Sequence, residues 1–387
     1  MKNFINILLI IYLYLLHYKK EHINKLIIDI KNHLNTLNLK PKEKKKIKII
    51  LNLFSESSEI KFERNLNPRE IIYYRIDNYQ HFKKPKTFRI CFGSCNVNIR
   101  NKTIWEDISS FSPNLWIFMG DNYYNDYLIQ EEQVSEKDSD ILLNHLDILE
   151  ELKNNSSYQK FLNTHKHLAI WDDHDYYSNN KDFDSRPSLK KLLKKSFLEL
   201  YHIKNTDIRH KREGIYTFYD LVYHDNVKVR FFLLDVRTFK SNLDILGKSQ
   251  WEWLENNIKN SPAEINVLIS GTCFINNNVK NESWTKHGWS MKKLEELLEN
   301  YHLKNVLLLS GDIHQGKVTV KNHLIEVTSS PLTSKISDWD NHPLVGTPVQ
   351  QNNFGFIDID LVGNNYHTGL VDLKQGKFHN IINFKLK

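Results

Sequence analysis

Four short stretches of the chain place carboxylates, imidazoles, a thiol and phenols directly after runs of apolar residues. They are Gly93-Ser94-Cys95-Asn96, Gly120-Asp121-Asn122-Tyr123-Tyr124, Asp172-Asp173-His174-Asp175 and Ser310-Gly311-Asp312-Ile313-His314. In open α/β sheets function gathers at the carboxyl ends of strands, so residues far apart in sequence meet on one rim. Here that rim would carry the donor types that metal ions take. Taken singly, each stretch has an ordinary explanation: a glycine turn with a capping aspartate, a solvated acidic loop, or a hydrogen-bonded core histidine. Three carboxylates and a histidine within four residues are harder to explain that way, because clustered like charges at a buried strand end repel unless cations neutralise them. Asp312 and His314, two apart on an extended segment, point to the same face, which suits joint ligation.

The three cysteines divide by position. Cys91 lies four residues before Cys95 in an expected strand, so their Cα atoms are ~13 Å apart at about 3.3 Å per residue. That exceeds the ~7 Å reach of a disulfide. Cys91 reads as a buried apolar residue and Cys273 as a buried thiol, while Cys95, past the strand, is free to reach a metal.

The elements that would position these residues are short apolar runs alternating with amphipathic segments from residue 86 onward. Strands are expected at Thr87–Phe92, Leu115–Met119, Leu168–Trp171, Val229–Leu234, Asn266–Ile269 and Val306–Leu309. Helices are expected at Ser188–His202, Lys248–Lys259 and Met291–Tyr301. Runs apolar on both faces, joined by helical crossovers, argue for an α/β sheet covered on both sides, with the site on one rim of that single sheet. Phe354–Leu361, His367–Leu373 and Asn380–Lys385 alternate and carry turn signals, as terminal hairpin strands do.

The first 86 residues differ. They hold 18 Lys and Arg against 8 Asp and Glu, which leaves the remainder of this chain of net charge +7 at −3. A slightly acidic catalytic region disfavours nucleic-acid binding. Residues 1–22 open on a ten-residue apolar run, Ile7–Leu16, which fits a secretory signal better than a span of ~20 residues. Lys19 and Lys20 follow the run with no small-residue cleavage site, so a signal anchor is the alternative. Residues 23–85 form a basic segment with two expected helices, Ile23–Leu37 and Ile47–Leu53, around a lysine-rich break, and membrane association through this N-terminus is a further expectation. The secretory route is the expected one, and Asn101, Asn154, Asn155 and Asn281 stand in Asn-x-Ser/Thr triplets that permit glycosylation there. Residues 86–387 are the expected catalytic domain.

The motifs FGSCN (92–96), PNLWIFMGDNYY (113–124), AIWDDHDYYSNN (169–180), FFLLDVRTF (231–239), LGKSQWEWLE (246–255) and LLLSGDIHQGKV (307–318) resemble the PhoD-type alkaline phosphatases, a branch of the calcineurin-like metallophosphoesterases. The resemblance spans roughly residues 86–330. It implies an α/β metallophosphoesterase sandwich flanked by helices, here with a short helical N-terminal appendage. It also implies a metal held by Cys95, Asp121, Tyr124 and His314, with Asp121 bridging to a second at Asp173 and Asp312. Fe³⁺ is implied at the first site and Ca²⁺ or another divalent ion at the second, where Asn179 adds a ligand or substrate contact. By the same resemblance His174 protonates the leaving oxygen, with Asp175 orienting its imidazole, and Arg237 contacts phosphate or else forms a structural ion pair with Asp235 or another carboxylate. Tyr176-Tyr177 replaces the family's usual Tyr-Gly. The activity implied is hydrolysis of phosphomonoesters through a metal-activated hydroxide, with phosphodiesters as the alternative and a non-catalytic binding protein as a third reading.

Overall fold

The computed structural model describes residues 71–73, 87–97, 104–126, 137–177, 179–180, 187–223, 227–276, 281–322, 324–337, 347–360 and 365–385. The apolar segment 1–22, the basic segment 23–85 apart from residues 71–73, and Asn101 lie outside them. Among the described residues no helix is long and apolar enough to cross a membrane.

The strands divide between two sheets, the sandwich that the motifs implied, where hydrophobic periodicity alone suggested a single sheet. The first is built from β2 (Thr87–Gly93), β3 (Leu115–Met119), β4 (His167–Ile170), β11 (Asn353–Asp360), β12 (Asn365–Asp372) and β13 (Phe378–Lys385), in the order β13-β12-β11-β2-β3-β4. The second contains β5 (Thr217–Tyr223), β6 (Val227–Leu234), β7 (Ile265–Ser270), β8 (Val306–Ser310), β9 (Lys317–Lys321) and β10 (Leu324–Thr328), with the three-residue β1 (Ile71–Tyr73) at its edge, in the order β1-β5-β6-β7-β8-β10-β9. β1 comes from the segment expected to be helical. Two parallel halves, β2-β3-β4 and β6-β7-β8, are each built from runs apolar on both faces. A single sheet and a pair of sheets bury such runs equally well, so hydrophobicity alone could not separate them.

Alternation along the strands fixes which layer each side chain joins. Phe231, Leu233, Val267, Ile269, Leu307 and Leu309 enter the core shared by the two sheets. Their neighbours Phe232, Leu234, Leu268 and Leu308 pack outward with Trp251 and Leu254 of α6 (Gly247–Lys259) and Leu294 of α7 (Gly288–Asn300). On the other sheet Trp116 and Phe118 of β3 turn outward, where Trp105 of α1 (Ile104–Ser110) and Phe161 of α3 (Ser156–Thr164) meet them at ring distances of 5.6–6.0 Å. Full burial of such a side chain contributes about 1.5–3 kcal/mol. The remaining helices are α2 (Asp138–Asn154), the single turn α4 (Asp173–Tyr176) and α5 (Pro187–Leu200).

The two sheets meet at their strand ends. The Gly311 N–H donates to Gly271 O after β8 and β7, while Ser94 Oγ after β2 donates to Ser329 O after β10. An added Cβ at Gly311 would lie 2.2 Å from Ser94 Oγ, so only glycine permits this approach.

Candidate metal centre

The residues after β2, β3, β4 and β8 converge where the sheets meet, those after β4 including the α4 turn. Cys95 Sγ lies 3.4 Å from Asp121 Oδ2, and Tyr124 Oη lies 3.1 Å from His314 Nε2. Cys95, Asp121 and His314 each offer a ligand atom within 4.8 Å of the others. Asp121 is also common to a group with Asp173 and His174 and to one with Asp172, Asp173 and Asp312. It therefore stands between a mixed sulfur, nitrogen and oxygen set and an all-carboxylate set.

The backbone is held in an unusual state to achieve this. Cys95 (φ 57°), Asp121 (φ 48°), Asp312 (φ 70°) and His314 (φ 53°) all adopt the left-handed region, at a cost of order 1–3 kcal/mol each. Surrounding hydrogen bonds retain it: the Asn96 N–H donates to Asp121 O at 2.7 Å, and the His314 N–H to Ser330 Oγ at 3.0 Å. Electrostatics point the same way. Burial pushes Asp121 well above the carboxylate range, and Asp173, Cys95, Asp172 and Asp312 add to the shift. Asp312 is raised by enclosure and by Asp173 and Asp172, and burial holds the Cys95 thiol up at about 12. Crowded groups of this kind accept deprotonation when a cation joins them, and the sulfur, nitrogen and oxygen donors present are of the types that hold metal ions.

A model of the PhoD-like phosphatase family matches residues 91–375, most of the chain. The chain belongs to the PhoD-like phosphatase family. Alkaline phosphatase D of Bacillus subtilis (strain 168) is 29% identical to it over 99 residues, which cover 24% of this chain and only 17% of that protein's length. Among solved structures, one described as the structure of PhoD superposes with a TM-score of 0.59 at 15% identity, covering 78% of this chain and 70% of the other. The purple acid phosphatase PPD1 of yellow lupin (Lupinus luteus) gives 0.51 at 11% identity over 77% of this chain and 54% of its own. GAP50, described as the anchor in the inner membrane complex of Plasmodium, gives 0.51 at 14% identity over 78% of this chain and 89% of its own. At these identities the structures establish the metallophosphoesterase fold.

Within this PhoD-like site, Cys95, Asp121, Tyr124, Asp173, Asp312 and His314 lie close together. His174 joins them, its ring stacked on Tyr124 at 4.1 Å. Asp175, however, does not orient that imidazole. Its carboxylate accepts the Asn122 and Asp172 N–H groups at 2.9 Å each and the Asn122 side-chain amide at 3.2 Å, so it ties the α4 turn to the loop after β3. The imidazole partner is Asp126, whose Oδ1 is 2.6 Å from His174 Nδ1. Burial alone would lower His174, but Asp173 and Asp126 outweigh it and raise the imidazole to about 9. The only sequence signal for Asp126 was its place two residues beyond Tyr124.

Arg237 realises the ion-pair alternative with carboxylates other than Asp235. Its Nε pairs with Asp172, its Nη1 lies 2.6 Å from Glu282, and its Nη2 donates to Thr272 at 2.9 Å and lies 3.8 Å from Asp173. The Asp235 carboxylate instead accepts the Arg237 and Thr238 N–H groups and the Trp171 indole. Burial would raise Asp173, yet Arg237, His174 and the Asn180 N–H together hold it below the usual carboxylate range. Asn179 is exposed, and its backbone N–H donates to Asp126 Oδ2 at 3.0 Å.

Proposed function

We propose that this chain is a metal-dependent phosphatase that hydrolyses phosphomonoesters. The observation that carries the reading is Asp121, a buried carboxylate shared by every candidate metal group among the described residues. In this reading Cys95, Asp121, Tyr124 and His314 hold one ion, with Fe³⁺ as the proposed occupant, and Asp121, Asp173 and Asp312 hold a second, with Ca²⁺ or another divalent ion. A dinuclear pair supplies neutralisation of the phosphoryl oxygens and a bound water of lowered pKa.

The protein's own groups supply the rest. The Asp126 carboxylate accepts the Nδ1 proton of His174, which leaves Nε2 to carry the proton delivered to the departing oxygen. Tyr124 stacks on the ring and restricts its rotation. Arg237 offsets the charge of Asp172 and Asp173 from a fully enclosed position, so we assign it to holding the carboxylates and not to substrate. The apolar segment 1–22 supports the secretory route, soluble or tethered, as part of this proposal.

The test pairs elemental analysis with hydrolysis of p-nitrophenyl phosphate and bis(p-nitrophenyl) phosphate. We expect bound metal, faster turnover of the monoester, suppression by chelator, and loss of activity to background in a folded Asp121→Asn variant. Unchanged turnover in that variant sinks the proposal, and faster diester turnover transfers it to phosphodiesters.

A further inference from the structure

The loop after β10, residues 329–334, was not marked by any sequence motif, yet it wraps the sulfur side of the centre. Ser334 Oγ lies 3.1 Å from Tyr124 Oη and 3.0 Å from Cys95 O. The N–H groups of Thr333 and Ser334 also point to Cys95 O, each at 3.3 Å. Ser330 is placed against the sulfur itself, with Oγ 3.0 Å from Cys95 Sγ.

Proton bookkeeping identifies which hydroxyl serves the sulfur. Each serine has one hydroxyl proton. That of Ser94 has a better acceptor in Ser329 O at 2.8 Å than in Cys95 Sγ at 3.5 Å. Ser330 Oγ already accepts the His314 N–H at 3.0 Å, so its own proton is free for Sγ. Both serines are buried, so water does not compete for these bonds. A hydrogen bond to a ligand sulfur draws electron density from it and tunes the bound metal. Because one hydroxyl touches Sγ and the backbone N–H of the His314 ligand, Ser330 also fixes the relative position of two donors.

We infer that Ser330 is a positioning residue that sets the donor strength of the Cys95 sulfur through a hydroxyl-to-sulfur hydrogen bond. The inference rests on the metal reading of the site proposed above. Its test uses Co²⁺ added to the metal-free full-length protein, because a thiolate-to-cobalt charge-transfer band reports the sulfur alone. Removing the donor raises the energy of the sulfur lone pairs. The band of Ser330→Ala is therefore expected at longer wavelength than wild type, with Ser330→Thr, which keeps the hydroxyl, close to wild type. Ser330→Gly reads the same loss if the alanine variant does not fold. A wild-type band that neither hydroxyl-free variant moves overturns the inference and leaves the metal reading standing, as does an equal shift in Ser330→Thr. A wild-type protein that binds Co²⁺ without this band, and matches Cys95→Ser, overturns the placement of Cys95 at the metal and the inference with it.

Discussion

Asp126 and His174 are separated by 48 positions in the chain and by 2.6 Å in the fold. The pairing fixes a tautomer, because a carboxylate beside Nδ1 accepts its proton and leaves Nε2 as the group that faces chemistry. Asp126→Asn keeps the size of the side chain but can offer its amide N–H to Nδ1, which favours the opposite tautomer. A general acid matters most when the leaving group is a poor one. We therefore expect Asp126→Asn and His174→Ala to slow hydrolysis of an alkyl phosphate by about 10²–10⁴-fold, the usual range for such a group, and that of p-nitrophenyl phosphate much less. Equal losses on the two substrates would exclude proton delivery by this pair. The ligand types were legible in sequence because each follows an apolar run and costs energy if left unneutralised. The imidazole's partner was not, since several carboxylates lie near His174 in the chain and only the folded turn shows that Asp175 spends its oxygens on the Asn122 and Asp172 backbone N–H groups.

At the scale of elements, strands apolar on both faces were read to within one or two residues: Leu115–Met119 coincides with β3, and Val306–Leu309 falls one residue short of β8. Other elements escaped because their patterns conceal burial. β5 carries Asp220, which meets Arg230 of the neighbouring strand at 2.6 Å, and β9 and β10 bury Lys317 and Glu326, so their runs look polar. The junction of the two sheets includes a close approach that composition does not record, that of Gly311 and Ser94. A methyl group at Gly311 must displace Ser94 Oγ and Cβ, at 2.2 and 2.5 Å, and with them the backbone that presents Cys95. Overpacking of this kind costs ~1–3 kcal/mol. Gly311→Ala is expected to stay folded, melt a few degrees lower, and lose metal affinity by a larger factor than that loss of stability suggests. Isothermal titration with Co²⁺ alongside a thermal melt checks it; full-strength binding would show that the sheet junction does not set the metal geometry.

For the whole molecule, the centre is a strained and electrostatically crowded region that metal would convert into a source of stability. Asp121 and Asp312 are raised above their unfolded values, so their favourable contribution to the metal-free fold is complete below the unfolded pKa of about 4 and is lost as pH rises through the folded values. Metal-free protein should accordingly melt at lower temperature as pH rises from about 5 to 8, over the part of that range the raised carboxyls span. Bound metal reverses the trend, because it takes the deprotonated groups and binds more tightly as protons leave. At a free metal concentration 100 times Kd, the linkage contributes about 2.7 kcal/mol. With ~2.1 cal/mol/K of unfolding entropy per residue, that corresponds to roughly 4 °C in Tm for a domain the size of residues 86–387. Asp121→Asn removes one crowded carboxylate, so the metal-free variant should melt at or above metal-free wild type at pH 8 and gain little from added metal. Calorimetry of both proteins with and without metal at pH 5 and pH 8 tests all three signs. A metal-free wild type that grows more stable towards pH 8 would mean that Arg237 and the buried donors already neutralise the cluster, leaving no electrostatic demand for a second ion.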